Sequence, residues 1–294
     1  MRATFSLLVL MCLCSVTACA QDMSGNHNHS ASPSPASSDN MVSQEWAKQR
    51  VEKSPRHREW VKVKNGAREV NSFVVYPENK NKATAVIVIH EIFGMSDWVQ
   101  SLTDQLAEAG YVAIAPDLLS GMGPNGGGTS SLSGNAVGQA ISALPPDQIT
   151  ADLNAVADYI SKVPAANGKV VVTGYCWGGG QSFRYATNNP NVKAVFVFYG
   201  PAPAAADGTP DKAALAKIKA PVYGFYAGND ARINATLPKT TEAMTELKKT
   251  YDPVTYEGAG HGFMRAGEAP DANEANKKAR DEAWARWKKI LAGI

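Results

Sequence analysis

Residues Gly174-Tyr175-Cys176-Trp177-Gly178 place a thiol between two glycines, directly after the apolar run Val170 to Thr173 and before a further glycine pair. A strand that turns sharply into a helix takes this form when it presents a nucleophile. The nucleophile stands at the tip of a strained turn, and the glycines lie where a Cβ would strike neighbouring backbone. The helix N-terminus behind it carries partial positive charge, which favours a thiolate. Such a nucleophile needs a base, and the base needs an orienting acid. After Cys176 the chain contains one histidine, His261, in the glycine-rich run Gly258 to Phe263. For the acid, Asp230 follows the apolar segment Pro221 to Gly228; Asp252 and Glu257 compete, one at the start of a strand and one crowding His261. Cys176, Asp230 and His261 then stand in the order nucleophile, acid, histidine, which suits thiol attack on a carbonyl. The competing reading is an inert buried cysteine in a tight turn, a turn aspartate and a surface histidine.

These residues can meet only if strands deliver them to one edge. Asn65-Gly66 separates two alternating stretches, Glu59 to Lys64 and Val70 to Tyr76, and predicts a hairpin. Ala83 to His90 is a continuous apolar run of the kind buried on both faces of a parallel sheet. Further strands are predicted at Tyr111 to Ala115, Val170 to Thr173, Ala194 to Tyr199, Val222 to Tyr226 and Val254 to Tyr256. Helices are predicted at Asp97 to Ala109, Pro146 to Val163, from Gly178 onward, Lys239 to Thr250 and Ala272 to Leu291. The alternation predicts an α/β fold with a mostly parallel sheet of about eight strands, helices on both faces, and the first two strands antiparallel. Residues 119–134 are rich in Gly and Ser without periodicity, and read as a lid or a loose insertion.

The chain has 294 residues, within the range of one α/β domain. A net charge of +2, from 29 basic and 27 acidic residues with no basic stripe, excludes a nucleic-acid partner as an expectation. Arg2, the apolar run Phe5 to Leu13 and the small residues Ser15 to Ala20 predict an export signal over residues 1–20. Val16-Thr17-Ala18-Cys19 resembles a bacterial lipobox, which would lipidate Cys19; Ala18-Cys19-Ala20 also satisfies ordinary signal cleavage. Residues 21–49 read as a flexible Ser/Asn/Pro-rich tether, with His27 and His29 solvated rather than metal-binding. Residues 50–294 read as one catalytic domain. Of the four cysteines, Cys12, Cys14 and Cys19 belong to the export region, so Cys176 alone remains in the fold without a disulfide partner. The expected location is the periplasm or the outer-membrane or cell surface, with membrane contact only through the lipid.

The chain resembles the dienelactone hydrolase (carboxymethylenebutenolidase-like) family of the α/β-hydrolase superfamily. The pieces that carry the resemblance are HEIFGM at 90–95, YVAIAPDLL at 111–119, GYCWGGG at 174–180, GNDARI at 228–233 and GHGFMR at 260–265. The resemblance implies an α/β-hydrolase fold and a triad of Cys176, Asp230 and His261. It implies that Glu91 contacts the resting thiol and helps activate it when substrate arrives. It further implies an oxyanion hole from the backbone N–H groups of Ile92 and Trp177, and Arg265 as a substrate-carboxylate ligand. Two departures stand out. No arginine occurs between Arg68 and Arg184, where the family has a second substrate arginine, and His90 replaces the family's commonest residue. The implied activity is hydrolysis of lactones or small activated esters, anionic ones among them, through an acyl-thioester, with no metal or cofactor. A thiolate leaves as readily as it attacks, so enol lactones and activated esters suit it better than alkyl esters or amides. The alternative from another class is a non-catalytic, surface-tethered small-molecule-binding protein. A thiol redox role would need a resolving cysteine, which the folded part does not have.

Overall fold

The computed structural model describes residues 44–294. The export signal, Cys19, His27, His29 and most of the tether lie outside the described residues. Eight strands form one sheet: β1 (Arg58–Asn65), β2 (Arg68–Val75), β3 (Ala83–Ile89), β4 (Val112–Pro116), β5 (Ala166–Tyr175), β6 (Val195–Phe198), β7 (Val222–Ala227) and β8 (Tyr251–Tyr256). Their spatial order is β1-β2-β4-β3-β5-β6-β7-β8. β1 runs antiparallel to β2, and β2 to β4; the remaining pairs are parallel.

β3 illustrates why the sheet must be covered twice. All of its residues are buried. Ala85, Ile87 and Ile89 enter one core, and Val86 and Val88 enter the other, as the two-residue period of a strand requires. The first core is closed by the helices Pro146–Lys162 and Trp177–Asn188, through Leu153, Val156 and Phe183. The second is closed by Asp97–Glu108 and Glu274–Leu291, through Leu102, Leu106, Ala283 and Trp287. Because β3 to β8 are parallel, their C-terminal ends share one edge of the sheet. Glu91 and Ile92 follow β3, Cys176 follows β5, Tyr199 follows β6, Asp230 follows β7 and His261 follows β8.

The first described element crosses the expected domain start at residue 50. A helix spans Glu45–Lys53, within and beyond the segment expected to be tether. Its Ala47 and Val51, four residues apart, are buried against the second core. Gln44 Oε1 accepts the Trp98 N–H at 2.7 Å, near the start of the helix Asp97–Glu108. Trp46 packs on the same core, and the remaining residues of the helix are charged or polar, so its sequence carries little periodic signal. β8 begins three residues before the predicted Val254 and includes Pro253, tolerated because β8 is an edge strand.

The Gly/Ser-rich stretch is tied down rather than loose. The Asp117 carboxylate accepts the Thr129 N–H and hydroxyl, each at 2.8 Å, and the Leu119 N–H at 3.1 Å. Thr129 Oγ1 in turn accepts the Met95 N–H at 3.1 Å. Thr129 therefore links the end of β4 to the loop that carries Glu91 and Ile92. A helix at Asn135–Ser142, which the sequence did not predict, then packs against Ile92.

Candidate active site

The turn at Cys176 depends on missing side chains. Cys176 has φ 56° and ψ −117°, a conformation that costs a residue with a Cβ about 1–3 kcal/mol. A Cβ on Gly174 would lie 1.9 Å from the Gly178 carbonyl oxygen, and one on Gly178 would lie 2.3 Å from that of Ile89. The glycines thus let the helix Trp177–Asn188 start against β3 and β5 at backbone contact. In this position the backbone N–H groups of Trp177 and Ile92 lie near the sulfur and favour a thiolate. Burial and the Glu91 charge outweigh them and push the thiol up to about 11. The helix N-terminus alone would favour ionisation; in the folded protein the resting sulfur is held as a thiol.

Asp230 and His261 form the closest polar contact of the site. His261 Nδ1 donates to Asp230 Oδ2 at 2.5 Å. The other carboxylate oxygen accepts the Ile233 N–H at 3.3 Å and caps the short helix Ala231–Asn234, which fixes the carboxylate. Asp230 is 7% exposed and the His261 side chain 32%, so one edge of the imidazole reaches open space. The two competing acids lie elsewhere: Asp252 pairs with Arg286 at 3.0 Å, and Glu257 is exposed. Tyr199 was not anticipated. Its ring stands edge-on to His261 at 5.0 Å between centroids and is fully buried. Its backbone φ is 40°, at a strand end beside Gly200, the one local sign of a forced turn.

Glu91 is 2% exposed and meets Arg265, with Nε to Oε2 at 2.8 Å. Burial opposes the Arg265 charge, but Glu91 more than offsets it, and the guanidinium is held more firmly protonated. Arg265 also lies over the Phe93 ring, 5.1 Å from its centroid. Resting Arg265 is therefore occupied by a carboxylate of the protein itself. Exposed Arg232 acts more weakly on the thiol and favours its ionisation.

Two clefts flank this loop. One, of about 620 Å³, is lined by Ile92, Phe93, Gly134, Val137, Gly138 and Ser142, among other uncharged residues. The other, of about 520 Å³, is polar and is lined by Gln44, Trp46, His261, Arg265, Asp271 and Asn276, among others. Among the described residues, no group of three or more His, Cys, Asp or Glu side chains is placed to hold a metal ion.

These charges make a prediction about the free protein. Alkylation of Cys176 by iodoacetamide is expected to rise about tenfold per pH unit from pH 7 towards 10, without a plateau. The variant Glu91→Gln removes the repelling charge and lowers the thiol pKa, so alkylation at pH 8 should accelerate by about three- to tenfold. A plateau near pH 8 in the parent, or an unchanged rate in the variant, would contradict this.

The model of the dienelactone hydrolase family matches residues 70–294. A protein from Saccharolobus solfataricus named "Putative carboxymethylenebutenolidase" is 31% identical over 258 residues, covering 77% of this chain and 95% of its own. One of the same name from Salmonella typhi is 33% identical over 208 residues, covering 68% and 74%. A crystal structure described as "Putative Dienelactone Hydrolase" from Klebsiella pneumoniae superposes with a TM-score of 0.70 at 26% identity, covering 81% of this chain and 99% of that one. The sheet order, the strand-end placement of the site and these likenesses agree: the chain belongs to the dienelactone hydrolase family.

Proposed function

We propose that this hydrolase cleaves lactones or small activated esters with Cys176 as nucleophile, His261 as proton carrier and Asp230 as its orienting acid. The observation that carries the reading is the 2.5 Å Asp230–His261 hydrogen bond, at the same sheet edge as a thiol whose ionisation two backbone N–H groups favour. Asp230 accepts the Nδ1–H hydrogen bond and so holds the tautomer whose Nε2 lone pair can take a proton.

Substrate binding begins the reaction. A carboxylate or other polar end of the substrate competes with Glu91 for Arg265 in the polar cleft, and the apolar part enters the uncharged cleft past Ile92. Phe93 divides the two, since it lines one and lies beneath Arg265. Moving Glu91 away removes repulsion from the sulfur, so the thiol proton passes to His261. Sγ then bonds to the carbonyl carbon, and the C=O π pair moves to oxygen, which accepts hydrogen bonds from the Ile92 and Trp177 N–H groups. The oxyanion collapses, the C–O bond to the leaving group breaks, and His261 returns the proton to the departing oxygen. Water, deprotonated by His261, attacks the thioester; the C–S bond breaks, and acid and thiol are regenerated. Glu91 thereby holds the thiol quiet when the site is empty, which suits a lone cysteine in an oxidising compartment.

Turnover of an aryl ester and an enol lactone tests the assignment. Cys176→Ala is expected to reduce it to background, and Asp230→Asn to lower kcat by about 10³- to 10⁴-fold while the fold is kept. Substantial turnover by Cys176→Ala would overturn the nucleophile assignment. No turnover by the parent would favour the binding-protein reading.

We also propose export, with lipid on Cys19, on the strength of the N-terminal pattern and the polar stretch after it. Labelled fatty acid fed to expressing bacteria should mark the parent and not Cys19→Ala. An unlabelled parent, cut after Ala20, would replace the lipid anchor by a free periplasmic form.

A further inference from the structure

His90 precedes Glu91 and is fully buried. Its Nδ1 lies 2.8 Å from the Glu91 carbonyl oxygen. A carbonyl can only accept, so Nδ1 carries the proton and Nε2 carries the lone pair. That Nε2 is buried with no partner among the described residues. An unpaired buried polar atom costs about 1–3 kcal/mol, which a phenyl ring of similar shape would not incur. The imidazole therefore has a use that a phenyl ring could not serve.

The use lies in the peptide it grips. The Glu91 C=O and the Ile92 N–H belong to the same planar trans peptide, so they point in opposite directions. A donor that fixes the oxygen on one side fixes the N–H on the other, and that N–H is one of the two that favour the Cys176 thiolate. The Gly94 N–H also reaches the Glu91 oxygen, at 3.1 Å, so two donors hold the plane. On its other flank the His90 ring stacks on Trp177 at 5.4 Å and 13°. Trp177 supplies the second N–H that favours the thiolate. One buried ring thus grips the peptide that carries the Ile92 N–H and stacks on the side chain of the residue that supplies the other donor.

From this convergence we infer that His90 is a positioning residue for the oxyanion hole, aiming the Ile92 N–H through its Nδ1–H and bracing Trp177 by stacking. The inference rests on the hydrolase mechanism above. It acts through the two backbone donors and requires no contact between His90 and substrate. Burial keeps the ring neutral, against the pull of the nearby Asp117 charge, so the donor stays in place across the working pH range.

Three variants and one spectrum test it. Phe at 90 keeps the ring and the stack but loses the donor. Asn places an N–H near the position of Nδ1, whereas Gln places its amide nearer that of Nε2. For aryl-ester hydrolysis, His90→Phe is expected to lower kcat by about 10- to 100-fold with KM within about threefold, because a misaimed donor costs less than the 10²–10³ of a deleted one. His90→Asn should recover most of that loss and His90→Gln little of it. Nitrogen-15 spectra of the histidine-labelled parent should give His90 as the neutral Nδ1–H tautomer from pH 5 to 9. A folded His90→Phe with kcat within twofold of the parent, or a His90→Asn as impaired as His90→Phe, would overturn the role. So would an Nε2–H tautomer, and that result is read without turnover. Even if the parent hydrolyses no ester, the tautomer decides the contact on its own.

Discussion

The site depends on one close approach: the start of the helix Trp177–Asn188 lies against the ends of β3 and β5 with no side chain between the backbones. Gly174 and Gly178 make that approach possible, since a Cβ on either would stand within 2.3 Å of a carbonyl oxygen. Strain at Cys176 follows, because the chain must change direction within one residue. So does the position of the sulfur, since the same turn brings the Trp177 N–H towards the loop after β3. Gly179 and Gly200 extend the device to β6: a Cβ on Gly179 would lie 2.4 Å from the Phe198 oxygen. The apolar strands give the sheet its rigidity, and the glycines let it present a reactive group at its edge.

The second organising feature is electrostatic. A buried carboxylate next to a thiol is unfavourable for a nucleophile, and burial of the sulfur adds to the cost of ionising it. Arg265 makes the arrangement tenable by pairing with Glu91, so that the charge is compensated while the thiol stays protonated. Breaking a buried pair from one side leaves an uncompensated charge, which is expensive. A ligand that takes over one partner therefore changes the field at the sulfur more than its distance would suggest. On the proposed mechanism, this couples occupancy of the polar cleft to reactivity at Cys176.

Much of this was legible in the residues. The long apolar runs at β3 and β6, and the alternating hairpin of β1 and β2, identify themselves because burial on two faces or one leaves a periodic trace. Cys176, His261 and Asp230 stood out as candidates because their residue types and order are restrictive, and the fold brings them to one sheet edge with Asp230 bonded to His261. What escaped has physical reasons. The helix Glu45–Lys53 is anchored by Trp46, Ala47 and Val51 among charged and polar residues. The helix Asn135–Ser142 is short and follows a glycine-rich segment whose order comes from Asp117 and Thr129, contacts that local patterning cannot express. Tyr199 reads as the last residue of a strand, and only the meeting of β6 with the loop after β8 places it beside His261. The Glu91–Arg265 pair joins residues 174 positions apart, and its geometry turns an expected substrate ligand into one already engaged at rest.

The central claim is that Cys176 is quiet when the site is empty and covalent when it is filled. Intact-mass measurement after rapid acid quench tests it directly, with an enol lactone or aryl ester as substrate and iodoacetamide offered to the free protein at neutral pH. The account predicts slow alkylation of the free protein, a transient mass gain equal to the acyl group, and its location on the peptide containing Cys176. No acyl adduct during turnover, an adduct on another residue, or rapid alkylation of the empty site would contradict it.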